Sequence, residues 1–169
     1  ANPSESLIAN AIVLGRSMVR RKYPLVLMVT ADVPASVLAR VTAGMKPDKV
    51  TVVEYIYGDF GLYKRDWFRQ VFTKFHAFNL VEYFKVIFLD LDILINDMIA
   101  MDSLFCQNWL FAAMENSKGS SAPKLAHGDS MASSARCGLI NAGVMLLTPY
   151  ATLFAVLVKD AANPAPFHE

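Results

Sequence analysis

The sequence predicts an α/β domain with a mostly parallel central sheet flanked by helices. Short continuous apolar runs bounded by turn residues alternate with segments of helical periodicity, the pattern of parallel strands joined by crossover helices. With 54% apolar and 18% charged residues the composition suits a largely buried sheet. A length of 169 residues fits one compact domain but not two of ordinary size, so residues 1–169 are read as a single domain.

Pro3 and Ser4 read as a helix start, after which Leu7, Ile8, Ala11, Ile12, Leu14, Gly15, Met18 and Val19 recur at helical spacing. Arg20, Arg21 and Lys22 complement the dipole at its end. Pro24 then opens the run Leu25 to Thr30, whose length and flanks suit a buried strand. A second helix is expected from Pro34 to about Ala43, ended by Gly44, and a strand from Val50 to Tyr55. Tyr57 to Tyr63, with Gly58 and Gly61, reads as a loop.

Asp66 to Leu80 reads as an α-helix with Trp67, Phe68, Val71, Phe72, Phe75 and Phe78 on a stripe facing the core. Val86 to Leu89 is the strongest candidate for a buried strand. Asp102 is a plausible helix cap, Trp109 to Met114 a strand, and Asn116 to Cys137 a long surface loop rich in Ser, Ala, Gly and Pro. Gly143 to Leu147 gives the last strand and Pro149 to about Ala161 the last helix.

Sixteen basic residues balance 15 acidic ones, so the net charge of +1 offers no broad field for nucleic acid or an anionic membrane. No stretch approaches the roughly 20 apolar residues of a membrane helix. Cys106 and Cys137 make neither a disulfide framework nor a zinc site and read as buried free thiols. The chain lacks an initiator methionine and starts where a helix should, so a preceding strand or leader is expected to have been removed. Cytoplasmic and Golgi or secretory-lumenal locations both stay open, with the cytoplasm favoured, as does assembly into a homodimer.

The apolar strand runs straight into Asp90-Leu91-Asp92, at the carboxyl end where open α/β sheets place their ligands. Two carboxylates two residues apart in extended chain leave the same face and can share one cation. Hard oxygen ligands suit Mn²⁺ or Mg²⁺, which retain positions for phosphate oxygens. The plain alternative is a pair of solvated turn acids, since Asp is common at strand ends.

Val86 to Ile95 superficially resembles the first motif of haloacid-dehalogenase-like phosphatases, in which Asp90 would be the nucleophile. Ile93 and Leu94 stand where that motif has Gly and then Thr or Val, so this is the alternative reading. A non-catalytic binding module is a second one.

Four ordered blocks, Thr73-Lys74-Phe75, Asn79 to Tyr83, Lys85 to Asp92 and Asn141 to Met145, resemble core motifs of glycosyltransferase family 8, the glycogenin and galactinol synthase family. Ala11 to Met18 and Tyr23 to Val26 are similar to its first helix and next strand. The resemblance implies a GT-A fold, Rossmann-like, and a retaining hexosyltransferase that uses Mn²⁺ or Mg²⁺ and a UDP-sugar of the UDP-glucose or UDP-galactose type. It implies Asp90 and Asp92 as metal ligands and the Leu91 backbone near the ribose. Lys74 and Arg65, or Arg69 in place of the latter, would contact the donor, with Asn141 and Ala142 beside the transferred sugar. An amide can both donate to and accept from sugar hydroxyls, although Asn before a strand also commonly caps a turn. The lysine has its own plain alternative, a stem that covers the core while the charge reaches water. His76, His127 and His168 have no motif support.

The family's first strand is missing before residue 1, and its later Asp-Gln and His/Lys motifs are missing after Glu169. The chain is therefore expected to be truncated at both ends. The acceptor is not implied.

Overall fold

A computed structural model describes residues 3–58, 66–115, 125–127 and 140–162. Helix α1 (Glu5–Ser17) begins where the sequence announces it: the Ser4 hydroxyl accepts the Leu7 N–H at 3.3 Å. Ile8, Ala11, Leu14 and Met18 form its buried face. Leu7 and Val19, expected on that face, are exposed, and the basic run lies beyond the last helical residue, Ser17.

Helix α2 (Ala35–Met45) does not stop at Gly44. It ends one residue later, with Lys46 in the left-handed conformation at φ 54°. Gly44 and Gly15 serve close packing instead. A Cβ on Gly15 would lie 2.5 Å from the Met45 Cα, and one on Gly44 would lie 2.6 Å from Ile12 Cγ1.

Strands β1 (Val26–Thr30) and β2 (Lys49–Val53) pair in parallel, as expected of a helix-strand-helix-strand order. Asp48 fixes their starting point. Its Oδ2 accepts the Leu25 N–H at 2.8 Å and the Arg21 guanidinium at 2.8 Å, while its own N–H donates to the Leu25 carbonyl at 2.8 Å.

Asp66–Asn79 is helical but winds as a 3₁₀ helix rather than an α-helix. Side chains three apart then eclipse, so Phe72, Phe75 and Phe78 form one edge-to-face row with centroids 5.4 and 6.4 Å apart. Val71, expected in the stripe, is exposed.

The expectation of a mostly parallel sheet is not what the strand pairing gives. Strands β3 (Val86–Leu89), β4 (Phe111–Glu115), β5 (Leu125–His127) and β6 (Ile140–Leu147) form a four-stranded antiparallel sheet in the order β3-β6-β4-β5. The alternation of apolar runs and helices identifies strands, but it does not say which become neighbours, and β6 inserts between β3 and β4. Among the described residues, parallel pairing is confined to β1 and β2. Strand β5 also interrupts the segment expected to be loop; residues 116–124 and 128–137 of that segment, and 59–63 of the earlier loop, lie outside the described residues.

A cavity of about 510 Å³ lies between β1 and β3, walled by Leu25 to Met28 and Val86 to Leu89 with Leu14, Met45, Ala77 and Leu80. That opening explains why β3 is half-buried rather than fully buried. One core cluster joins Ile8, Ala11, Leu14 and Met18 to Leu27, Val41 and Met45. A second joins Ala77 and Phe78 to Ala113, Met145 and Leu147.

Asp97, not Asp102, caps helix α3 (Met98–Leu104), accepting the Ile99 and Ala100 N–H groups at 2.8 and 3.1 Å. Asp102 lies within that helix and pairs with Lys22 at 3.5 Å. Helix α4 (Ala151–Ala162) closes the described chain. Cys106 is exposed, against the expectation of a buried thiol, and Cys137 lies outside the described residues. Among the described residues no helix is long and apolar enough to cross a membrane.

Candidate functional site

Strand β3 delivers Asp90 to the rim of the antiparallel sheet, where its N–H still donates to the Gly143 carbonyl at 2.8 Å. The chain then turns. The Asp90 carbonyl accepts the Ile93 N–H at 3.2 Å, so Leu91 and Asp92 lie in a turn rather than in extended backbone. The alternation argument for a shared face therefore does not hold at this spot. Asp90 is half-buried and ion-paired, whereas Asp92 is exposed and has no hydrogen bond or ion pair to the described residues.

Lys74 reaches Asp90 from the 3₁₀ helix. Its ammonium lies 3.0 Å from Oδ1 and 3.3 Å from Oδ2, and it donates to the Ala142 carbonyl at 3.3 Å. The Phe88 ring supports the charge from another side, with its centroid 5.2 Å away. With side-chain exposures of 15% for Lys74 and 37% for Asp90, the pair is only partly screened by water. An ammonium has three donors; the two oxygens of one carboxylate lie close enough together to share one of them, and the Ala142 carbonyl takes a second. Sequence reasoning missed Phe88, which reads as an ordinary core position of β3; nothing in its spacing marks it as a support for a cation.

Gly143 borders the same place. A Cβ there would lie 3.1 Å from the Asn141 Oδ1 and 3.5 Å from the Asp90 Oδ2. Glycine thus keeps open a small cradle on which two oxygens converge. The Asn141 oxygen already accepts the Gly143 N–H at 3.0 Å, the local turn bond that Asn commonly makes, while the residue itself is exposed. Leu91 is half-buried and packs on the first core cluster.

The structure thus brings together Lys74, Asp90, Ala142 and, through the Gly143 cradle, Asn141. Arg65 lies outside the described residues, as does His168. His76 Nε2 lies 2.9 Å from the Glu54 carbonyl, and its ring is tilted against Phe154 with centroids 5.2 Å apart.

Among the described residues, no group of three or more His, Cys, Asp or Glu side chains could hold a metal ion. Two carboxylates, Asp90 and Asp92, stand two residues apart at the end of β3. Mg²⁺ is usually held by one or two carboxylates and completes its shell with phosphate oxygens and water. Asp90 and Asp92 are the residues that would hold it. No family model matches the chain, and no curated protein matches it.

Proposed function

We propose that this chain is the nucleotide-sugar-binding part of a retaining, metal-dependent hexosyltransferase of the glycosyltransferase family 8 type, with a GT-A arrangement of its strands. One observation supports the reading most. Lys74, Asp90 and Ala142, which come from three separate motif blocks, meet in a single hydrogen-bonded cluster, although Lys74 and Ala142 are 68 residues apart. The lysine gathers a carboxylate, a carbonyl and an aromatic face at the rim of the antiparallel sheet.

Bound at Asp90 and Asp92, a divalent ion would neutralise charge on the leaving diphosphate. Lys74 would add a second positive charge on the donor, and Asn141 and the Ala142 backbone would face the sugar. The acceptor stays unassigned.

Calorimetry with UDP-glucose and UDP-galactose tests the reading. Binding should require Mn²⁺ or Mg²⁺, and Asp92→Ala should weaken it at least tenfold. Equal donor binding in the presence of chelator would sink the proposal. Trapping of a fluoride-metal phosphate mimic at Asp90 would instead favour the phosphatase alternative.

A further inference from the structure

The geometry points to Lys74 as a built-in occupant of the cation site, which holds Asp90 until a diphosphate arrives and so makes ion and nucleotide bind together rather than in sequence. This inference rests on the metal-dependent reading above and concerns how the same site is regulated.

Both oxygens of Asp90 face the Lys74 ammonium, at 3.0 and 3.3 Å, and the same ammonium is tied to the Ala142 carbonyl at 3.3 Å and backed by the Phe88 ring. These contacts hold Lys74 at Asp90 in a site without ligand. A free divalent ion drawn to Asp90 meets a like charge at contact range, on a lysine side chain that is only 15% exposed. Repulsion between such partly buried charges is weakly screened. Asp92 remains open, but one carboxylate in water is a poor ligand set for a strongly hydrated ion.

A diphosphate changes the balance. Its oxygens give the ammonium an alternative acceptor and offset the added charge, so Asp90 is released to the ion. Coupling of this kind is reciprocal: the nucleotide must raise ion affinity by the same factor as the ion raises nucleotide affinity. Lys74 acts here as a positioning residue whose effect on the ion has the opposite sign from its effect on the donor. A lysine that only filled space would not separate the two.

Mn²⁺ binding to the 169-residue chain, read from the spectrum of the free ion without any donor or turnover, tests the inference. Without nucleotide, Lys74→Met should bind Mn²⁺ at least tenfold more tightly than the wild type, and the gain in Mn²⁺ affinity on adding UDP should shrink. Lys74→Arg, which keeps the charge, should stay near wild type. Unchanged or weaker Mn²⁺ binding by Lys74→Met would overturn the inference. Lys74→Gln carries the same expectation should the methionine variant fold poorly.

A measurement on the unaltered chain gives an independent check. The side-chain ¹⁵N resonance of Lys74 should be insensitive to Mg²⁺ alone and should shift when Mg²⁺ and UDP are added together. A full shift with Mg²⁺ alone would also overturn the inference. If neither wild type nor variant binds Mn²⁺ even with UDP present, the functional reading itself fails. If wild type binds Mn²⁺ with UDP present, but without UDP Lys74→Met binds it no more tightly than wild type does, only the role of Lys74 fails.

Discussion

The layer of α1 and α2 over the parallel β1–β2 pair and the antiparallel sheet that carries Lys74 and Asp90 reach stability by different means. In the first, apolar side chains and two glycines bring helices into contact, and the core cluster holds no charge. In the second, the core of Ala77, Phe78, Ala113, Met145 and Leu147 is equally apolar, yet a charged pair stands at its rim, only partly exposed. Apolar packing accounts for the core of the first region, whose charged pair, Arg21 with Asp48, ties the backbone at the start of β1. It leaves the ion pair of the second unexplained, because a half-buried pair contributes little net stability. Charge kept where packing does not need it is what directs attention to function.

The largest expected effect falls in the helix layer. Gly15→Ala places a methyl group 2.5 Å from backbone of α2, which cannot move aside as a side-chain tip can. Such overpacking should cost about 3 kcal/mol. Gly44→Ala meets only the Ile12 side chain and should cost about 1 kcal/mol. Denaturant midpoints of the two variants measure the difference. Equal and small losses would show that α1 and α2 slide apart freely, and the sharp contrast between the two regions would disappear.

A smaller change is expected at the rim. Lys74→Met keeps most of the aliphatic stem and leaves Asp90 37% exposed, so water replaces part of the lost partner. Stability should fall by about 1 kcal/mol or less once solvent screening is allowed for. A loss as large as that of Gly15→Ala, again by denaturant melt, would make the pair a structural element on a par with the glycine contact.

The same contrast separates what could be read in the sequence from what could not. Helix α1 and its Ser4 cap, β1, and the strand leading to Asp90 follow from local periodicity and capping chemistry. Gly44 was legible as a glycine but not as a packing residue, since the identity of its contact, Ile12, is a tertiary fact. The antiparallel order was not legible either, because adjacency of β3 with β6 depends on chain reversal across segments without periodicity. Lys74 and Asp90 were nameable through motif resemblance; their contact was not, because an i, i+16 pairing across a helix and a strand has no sequence signature. The turn at Leu91 and Asp92 also defeats a simple alternation argument, which assumes that the strand continues.

The smallest expected effect depends on pH and returns to the first region. Asp48 has its carboxyl held below the usual carboxylate range, chiefly by the Leu25 N–H and then by the Arg21 guanidinium. For a group whose folded pKa is lowered, the stabilisation is complete above the unfolded value, about 3.9, and disappears as pH falls through the folded value. Asp48→Asn should therefore lose a roughly constant increment from neutral pH down to about pH 5, and converge with wild type only below the lowered folded value. With the Asp48 side chain 51% exposed, the increment should be under about 1 kcal/mol after screening. Melts of both proteins between pH 2 and pH 7 isolate this group, because acids common to the two chains cancel in the difference. A gap that persists unchanged at the acid end would mean that Asp48 acts through shape rather than charge, and that the start of the β1–β2 pair is fixed, like the helices above it, by packing alone.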